Sequence, residues 1–344
     1  TEHHARWLRT NGMAGASPHD RHWFVDEEHP LLHQTAHQLC RTGATLPSAV
    51  SCGADLDGDG SPLQEDCDDG DASTHPGAHD IASNGVDEDC SGIDSEPANI
   101  LVLVLESHRS INCGHVHMDP QRPSSSPRLD ELAADGVAHR RAVANGLPTI
   151  ASFMTIQTGL LPTARAKVAT EFAYLRLQSL PDILRSHGYY TRFFTAAEPS
   201  WDNQNAWLSR WYDDVDYDRA RIHDKPLFEH MRRWFQQSLE QHTRLPDGRR
   251  KPFFALAMTR TNHFPFHRVE GVESSGPDTL AARMHDTMRY TDRWMGWLID
   301  ELRSEPWFQN TVIVITGDHG FPQGEHGYGR LSECAHVESV GVPL

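Results

Sequence analysis

Apolar positions in this chain follow two rhythms. From Pro97 onward, continuous apolar runs alternate with stretches in which apolar residues recur every three or four positions. The first kind suits parallel strands buried on both faces, the second amphipathic helices. Asn99-Ile-Leu-Val-Leu-Val-Leu105 is one run, followed at once by Glu106 and Ser107, and Thr311-Val-Ile-Val-Ile-Thr316 is another, ending in Gly317, Asp318 and His319. Lys251-Pro-Phe-Phe-Ala-Leu-Ala-Met258 reads as a third strand, feeding a loop that contains His263. Pro277 opens a long helix whose Leu280, Met284, Met288, Met295, Leu298 and Leu302 fall on one face, so its methionines are expected in the core. Alternating strands and helices predict an α/β domain over residues 97–344. Residues 1–50 show no sustained period and are rich in His, Arg and other polar residues, as expected of a linker or extension without a legible function.

In open α/β sheets ligands bind beyond the carboxyl ends of the strands, which puts Glu106, Asp318 and His319 on one rim. Thr149 follows Pro148 and opens a helix-like stretch, so its neighbouring amides can face an anion. A threonine hydroxyl is a poor nucleophile until a bound cation lowers its pKa, and carboxylate and imidazole donors are the ligands such a cation needs. Each residue also has a plainer reading. Glu106 can end a strand, Asp318-His319 can stabilise a turn, and His263, beside Phe264, Pro265 and Phe266, can cap a packed loop.

The formal charge of −17 changes this picture little, because it is local: residues 55–94 hold thirteen acids and no lysine or arginine, leaving about −4 elsewhere. With no basic stripe carrying interleaved aromatics, nucleic acid is excluded as a partner. Most of the 23 histidines are scattered and read as surface residues. Within the acidic segment, residues 51–96, Asp55, Asp57, Asp59 and Asp66 stand at positions one, three, five and twelve of a loop. Gly60 stands at six and Ser61 at seven. That is the spacing of an EF-hand-type calcium loop with Asp in the last place. No helical pattern flanks it, so a calcium-wrapped coil is expected instead of a paired EF-hand.

The stretch Asn145-Gly-Leu-Pro-Thr149-Ile-Ala-Ser152-Phe153, closing with Thr158-Gly159, resembles the nucleophile segment of the alkaline phosphatase and sulfatase superfamily. It is closest to the lipoteichoic acid synthase and phosphoethanolamine transferase branch. Thr149 takes the nucleophile place, while Ala151 and Phe153 replace the sulfatase proline and arginine. The single Glu106 after the first strand, where sulfatases carry paired aspartates, favours phosphorus over sulfur. Leu180-Pro-Asp-Ile-Leu-Arg-Ser-His-Gly188-Tyr resembles the family's helix–Gly-Tyr–strand step, and Thr261-Asn262-His263 its substrate-site histidine loop. The resemblance implies an alkaline phosphatase-like sandwich, its central, mostly parallel sheet flanked by helices and preceded by a small calcium-binding coil. It implies one divalent cation (Mn, Zn or Mg) on Glu106, Thr149, Asp318 and His319, with His263 catalytic. Trp201, His326 and Arg330 match substrate-contacting places, and Asn203 stands where an arginine is expected, leaving the headgroup open.

The activity so implied is an extracytoplasmic transfer of a phosphoglycerol- or phosphoethanolamine-type group, from a phospholipid or phosphodiester donor to a glycan or lipid acceptor. A phosphodiesterase, phosphatase or sulfatase-like hydrolase, and a calcium-dependent binding protein with an inactive domain, are the alternatives. From Asp66 to Gly92 the chain resembles secreted metal-binding repeats related to thrombospondin type 3 repeats. Cys67 and Cys90 lie inside that repeat and are expected to pair, as are Cys40 with Cys52 and Cys113 with Cys334, although six cysteines allow fifteen pairings. An even cysteine count beside calcium loops favours an oxidising compartment. No stretch has the length of a membrane span, and the family implies membrane helices outside this chain. The sequence starts without Met and stops at Val342-Pro-Leu344, so a piece of a longer protein is expected.

Overall fold

The computed structural model describes residue 40 and residues 51–344, apart from 83, 164–165, 219–222, 247 and 332–334. The extension expected over residues 1–50 therefore lies outside the described residues, save Cys40. The chain divides into two compact units, Thr1–Pro97 and Ala98–Leu344.

The second unit is built on a five-stranded sheet. Its strands are β1 (Asn99–Leu105), β2 (Tyr190–Thr195), β3 (Asp214–Tyr217), β4 (Phe253–Met258) and β5 (Thr311–Gly317), in the order β3-β2-β4-β1-β5. Every pairing is parallel. The register sets Leu105 against Gly317 and Val104 against Met258, so three strands end nearly flush and release Glu106, Asp318 and Thr259 at one edge. β1 and β4 are as buried as their apolar runs predict. β5 is not: among the described residues it pairs only with β1, and Val312 is 52% exposed. A strand at the sheet's edge keeps one flank open, whatever its composition.

Because alternate residues of a strand face opposite sides, β1 and β4 feed two cores. Leu101, Leu103 and Leu105 with Phe253, Ala255 and Ala257 meet helices α5 (Asp224–Gln237) and α6 (Leu280–Leu302). Val102, Val104, Phe254, Leu256 and Met258 meet α2 (Thr149–Thr158) and α4 (Gln204–Trp211). The remaining longer helices are α1 (Pro127–Asp135), which packs on α6, and α3 (Leu180–Ser186), which leads into β2. The methionines of α6 are core, Met284 and Met288 beside Phe266 and Phe321, and Met295 in the larger cluster. The helix begins at Leu280, three residues after Pro277, because the Thr279 side chain accepts from Ala282 N at 3.2 Å and caps it.

Two local devices fix the start of α2. A Cβ on Gly146 would lie 2.5 Å from Ala151 C and Ser152 N, so only glycine lets the incoming chain lie against the helix's first turn. The buried Ser152 hydroxyl donates to Gly146 O at 2.5 Å. At the other end Gly159 adopts φ 70°, and its N–H bonds Thr155 O. Phe153, where a sulfatase would carry arginine, is fully buried between Phe193 and Trp211, at 6.2 and 6.0 Å between ring centroids.

In the first unit, residues 51–97 form turns and bends, with neither helix nor strand among the described residues. Cys67 is bonded to Cys90 and Cys40 to Cys52. The third expected pair is corrected: Cys113 is a free, buried thiol in the core cluster, donating to Arg109 O at 3.8 Å. Packed among apolar side chains it behaves as a small hydrophobe, and burial pushes its pKa up. Cys334 lies outside the described residues.

Phe153→Ala is expected to cost about 3–5 kcal/mol of stability, the range for emptying a buried aromatic site. A urea titration of tryptophan fluorescence checks it through a lower midpoint at similar slope.

Candidate active site

The flush ends of β1 and β5 bring Glu106, Asp318 and His319 together, with ligand-capable atoms all within 4.8 Å of one another and all three side chains buried. Thr149, the first residue of α2, completes the group. Its Oγ1 lies 3.0 Å from His319 Nε2 and donates towards Glu106 Oε2 at 3.4 Å.

Backbone and side-chain contacts hold each member. Ser107 N and His319 N both donate to Asp318 Oδ1, at 2.7 and 2.8 Å, and Ser107 Oγ donates to Glu106 Oε1 at 2.7 Å. Ser107 sits at φ 48°, a left-handed turn that lets the chain fold back on the rim. His319 Nδ1 contacts Gly320 O at 2.7 Å. A carbonyl only accepts, so Nδ1 carries a proton, and Nε2 faces Thr149 Oγ1 and Asp318 Oδ2, the latter 3.3 Å away. Asp318 Oδ2 is buried without a hydrogen-bond partner. Burial, then the nearby Asp318 charge, holds the Glu106 carboxyl well above the usual carboxylate range.

This arrangement fits a divalent cation. An orphaned buried carboxylate oxygen, a second carboxylate, an imidazole nitrogen and a hydroxyl lie together here, and Mg, Mn and Zn all accept such mixed oxygen and nitrogen donors.

Residues not singled out in the sequence brace this group. Thr259 Oγ1 accepts from Glu106 N at 2.8 Å. Asn262, fully buried, donates from Nδ2 to Glu106 O and Ser107 O at 3.1 and 3.0 Å and accepts from Thr287 Oγ1 of α6 at 2.5 Å. Asp224, also fully buried, accepts from Arg260 N, Thr261 N and Thr291 Oγ1 at 2.7, 3.1 and 2.5 Å. These bonds join residues 25 to 156 positions apart, so no short sequence window contains them. Asn262 carried the one available signal, its place in the histidine loop.

The other predicted residues distribute around this centre. His263 follows Asn262, is exposed, and meets the Trp201 indole edge-on at 6.4 Å between centroids. Asn203 reaches Ala169 O at 3.5 Å. His326 Nδ1 pairs with buried Glu338 at 2.7 Å, and its ring stacks on His336 at 4.2 Å. Arg330 is exposed. Neither His326 nor Arg330 belongs to the converging group. Buried Arg109, unforeseen, binds Glu325 Oε1, Gln323 Oε1 and Phe321 O, tying the loop after β5 to the segment after β1.

In the acidic coil, Asp57, Asp59 and Asp66 bring carboxylate oxygens within 4.8 Å of one another, and each keeps one buried Oδ2 without a hydrogen-bond partner. Asp55 accepts from Gly58 N and Gly60 N, shaping the turn, and Ser61 N donates to Asp59 Oδ1. Asp69, not among the predicted ligands, joins Asp55 and Asp57 in an overlapping group. Burial, opposed by one backbone hydrogen bond and reinforced by neighbouring acids, raises the Asp66 pKa to about 7. Hard oxygen donors alone fit a calcium ion.

Sheet order and rim position define an alkaline phosphatase-like fold. The chain belongs to the sulfatase family, whose profile matches residues 98–344. A profile of Cu-binding MopE metal-binding motifs matches residues 66–96. Lipoteichoic acid synthase 2 of Bacillus subtilis is 25% identical over 273 residues, 73% of this chain and 41% of its own length. This chain therefore spans about two fifths of that relative. Among solved structures, the lipoteichoic acid synthase LtaP of Listeria monocytogenes aligns with a TM-score of 0.59 at 18% identity, over 72% of this chain and 64% of that one. The C-terminal periplasmic domain of EptC from Escherichia coli, in complex with Zn, aligns at 0.54 and 16%, over 72% of each. At these identities the structures establish the fold; the family itself is one of enzymes.

Asp318→Asn is expected to weaken Mn²⁺ binding at this rim at least tenfold, with the melting temperature of the metal-free protein little changed. Calorimetric titration of chelator-stripped protein measures it.

Proposed function

We propose that this protein is an extracytoplasmic transferase that moves a phosphoglycerol- or phosphoethanolamine-type group from a phospholipid donor to a glycan or lipid acceptor through a covalent intermediate on Thr149. The observation that carries this reading is the Thr149 hydroxyl, 3.0 Å from His319 Nε2 and 3.4 Å from Glu106 Oε2, beside an unpartnered Asp318 oxygen. A divalent cation held by Glu106, Asp318, His319 and Thr149 would supply charge neutralisation and a lowered hydroxyl pKa.

Thr149 Oγ gives up its proton to solvent and, as the alkoxide, bonds to phosphorus in line with the departing alkoxide. The bond from phosphorus to that alkoxide breaks, and His263 protonates the leaving oxygen. In the second half an acceptor hydroxyl loses its proton to His263 and attacks phosphorus, and the bond to Thr149 Oγ breaks. The braced loop supports this role for His263, since Asn262 ties it to Glu106 and Ser107. Trp201, edge-on to His263, is suited to line the headgroup pocket. Water in place of the acceptor gives a hydrolase with the same groups, and acceptor-dependent product separates the two.

The disulfides Cys40–Cys52 and Cys67–Cys90 favour an oxidising compartment, as does the likeness to a periplasmic domain. No helix among the described residues is long and apolar enough to cross a membrane. The acidic coil is read as a calcium site on Asp55, Asp57, Asp59, Ser61 and Asp66, on the strength of the unpartnered oxygens of Asp57, Asp59 and Asp66.

Incubation with manganese and phosphatidylglycerol or phosphatidylethanolamine is expected to leave a headgroup-phosphate adduct on Thr149 by peptide mass spectrometry. Thr149→Ala is expected to cut turnover roughly a thousandfold or more; unchanged turnover refutes the mechanism. For the coil, Tb³⁺ luminescence displaced by Ca²⁺ is expected to report a site that Asp66→Asn weakens at least tenfold.

A further inference from the structure

The loop after β5 does more than deliver Asp318 and His319. Two residues past His319, Phe321 lies nearly flat against Phe264, the residue next to His263, with ring centroids 5.2 Å apart and planes 11° from parallel. Both rings meet Phe266 edge-on, Phe321 at 5.2 Å and Phe264 at 6.0 Å. Phe321 is buried and Phe266 fully so, whereas Phe264 is 49% exposed, so its ring leans on these two neighbours and is otherwise open to solvent. The Phe321 backbone is fixed in turn. Its carbonyl accepts from Nη1 of buried Arg109 at 3.0 Å, and the preceding Gly320 N–H donates to Ser339 O at 2.8 Å.

His263 depends on the placement of Phe264 through a hydrogen bond. It is the shared corner of two turns, its N–H donating to Arg260 O at 2.9 Å and its carbonyl accepting from Phe266 N at 2.8 Å. Those bonds fix the backbone and leave the ring to be oriented by other means. Its Nδ1 lies 2.7 Å from Phe264 O. A carbonyl only accepts, so Nδ1 carries a proton, and Nε2 is the nitrogen left to pass a proton to a leaving oxygen or take one from an acceptor hydroxyl. The direction of the Phe264 carbonyl therefore sets both the tautomer of His263 and the way Nε2 points, and the Phe264 ring is anchored on Phe321.

We propose that Phe321 is a positioning residue for His263, acting through its stack on Phe264, so that the loop carrying Asp318 and His319 also aims the group that protonates the leaving alcohol. The inference rests on the reading of His263 as that acid and extends it to a residue outside the converging group. Phe321 also packs beside Phe266, Met284 and Met288. The two roles predict different losses. Damaged packing slows every turnover alike, whereas a misdirected Nε2 slows those in which the departing oxygen needs a proton, because proton transfer works only within hydrogen-bond reach.

The test follows the first turnover of the manganese-loaded 344-residue chain on two donors of one phosphoglycerol group. One is phosphatidylglycerol in detergent micelles; the other is p-nitrophenyl phosphoglycerol, whose phenolate departs without a proton. His263→Ala is expected to slow diacylglycerol release about a hundredfold more than nitrophenolate release, the scale of a lost general acid. Phe321→Leu, and Phe264→Leu at its half-exposed position, are expected to show the same bias at about tenfold, with no further bias when Phe321→Leu is added to His263→Ala. Equal losses on both donors, a bias that multiplies in the double variant, or wild-type rates in both Leu variants overturns the proposal while leaving Thr149 chemistry intact. If His263→Ala does not separate the donors, or neither donor is turned over, the acid reading fails separately, and position is judged by ¹⁵N NMR of the histidine rings in the magnesium-loaded chain. There Phe321→Leu is expected to shift His263 from the Nδ1–H tautomer to a mixture of both, and an unchanged His263 signal overturns the proposal.

Discussion

Two carboxylates buried side by side are the constraint on which the candidate site depends. Glu106 and Asp318 leave adjacent parallel strands at the same level, both buried, and bring oxygens within 4.8 Å of one another. At an effective dielectric of 20, two such charges repel by about 3–4 kcal/mol, before desolvation of either is counted. The protein provides only partial relief: two N–H groups on Asp318 Oδ1 and one hydroxyl on Glu106 Oε1. Among the described residues no lysine or arginine pairs with either carboxylate, and the imidazole nearest Asp318 is that of His319, at 3.3 Å. A fold that concentrates negative charge at a point, and leaves one oxygen there without a donor, is organised for a cation.

That concentration requires stiff support, since each acid gains by moving apart from the other. The support comes from the β4 end and from α6. Thr259 and Asn262 seize Glu106 at its N–H and its carbonyl, and Thr287 holds Asn262. Asp224 gathers the backbone of the same loop and bonds Thr291, one helical turn beyond Thr287. The loop carrying His263 is therefore fastened at one end to the rim and at the other to two helices, which limits how far the imidazole can drift from the reacting centre.

What was legible in the sequence follows the range of the interactions. β1 and β4 declare themselves as continuous apolar runs because both their faces are covered, and α6 as a repeating stripe. β5 has the same composition, yet lies at an edge with Val312 exposed, since strand order is not written in a strand. Glu106, Asp318, His319 and Thr149 could be nominated because strand ends and helix starts are where such chemistry collects. The network around Asn262 and Asp224 could not, as its partners are brought together only by the finished sheet. Cys113 shows the converse error: parity suggested a partner, whereas its position behind β1 makes it a packing residue.

The candidate cation centres at the rim and around Asp57, Asp59 and Asp66 use the same device under opposite constraints. In the coil, the acids lie within a dozen residues, so spacing alone reveals them, and among the described residues of 51–97 no helix or strand holds those acids together. Leu63 is the one fully buried apolar side chain described there, far too little to offset the ordering of some forty residues. An ion in that coil therefore acts on folding itself, reinforced by the Cys67–Cys90 crosslink. The candidate rim has the reverse arrangement: its residues span more than two hundred positions, from Glu106 to His319, and are carried by a sheet with an apolar core on each face. An ion there would meet ligands that the sheet and its two cores already bring together, and so would bear on chemistry more than on folding.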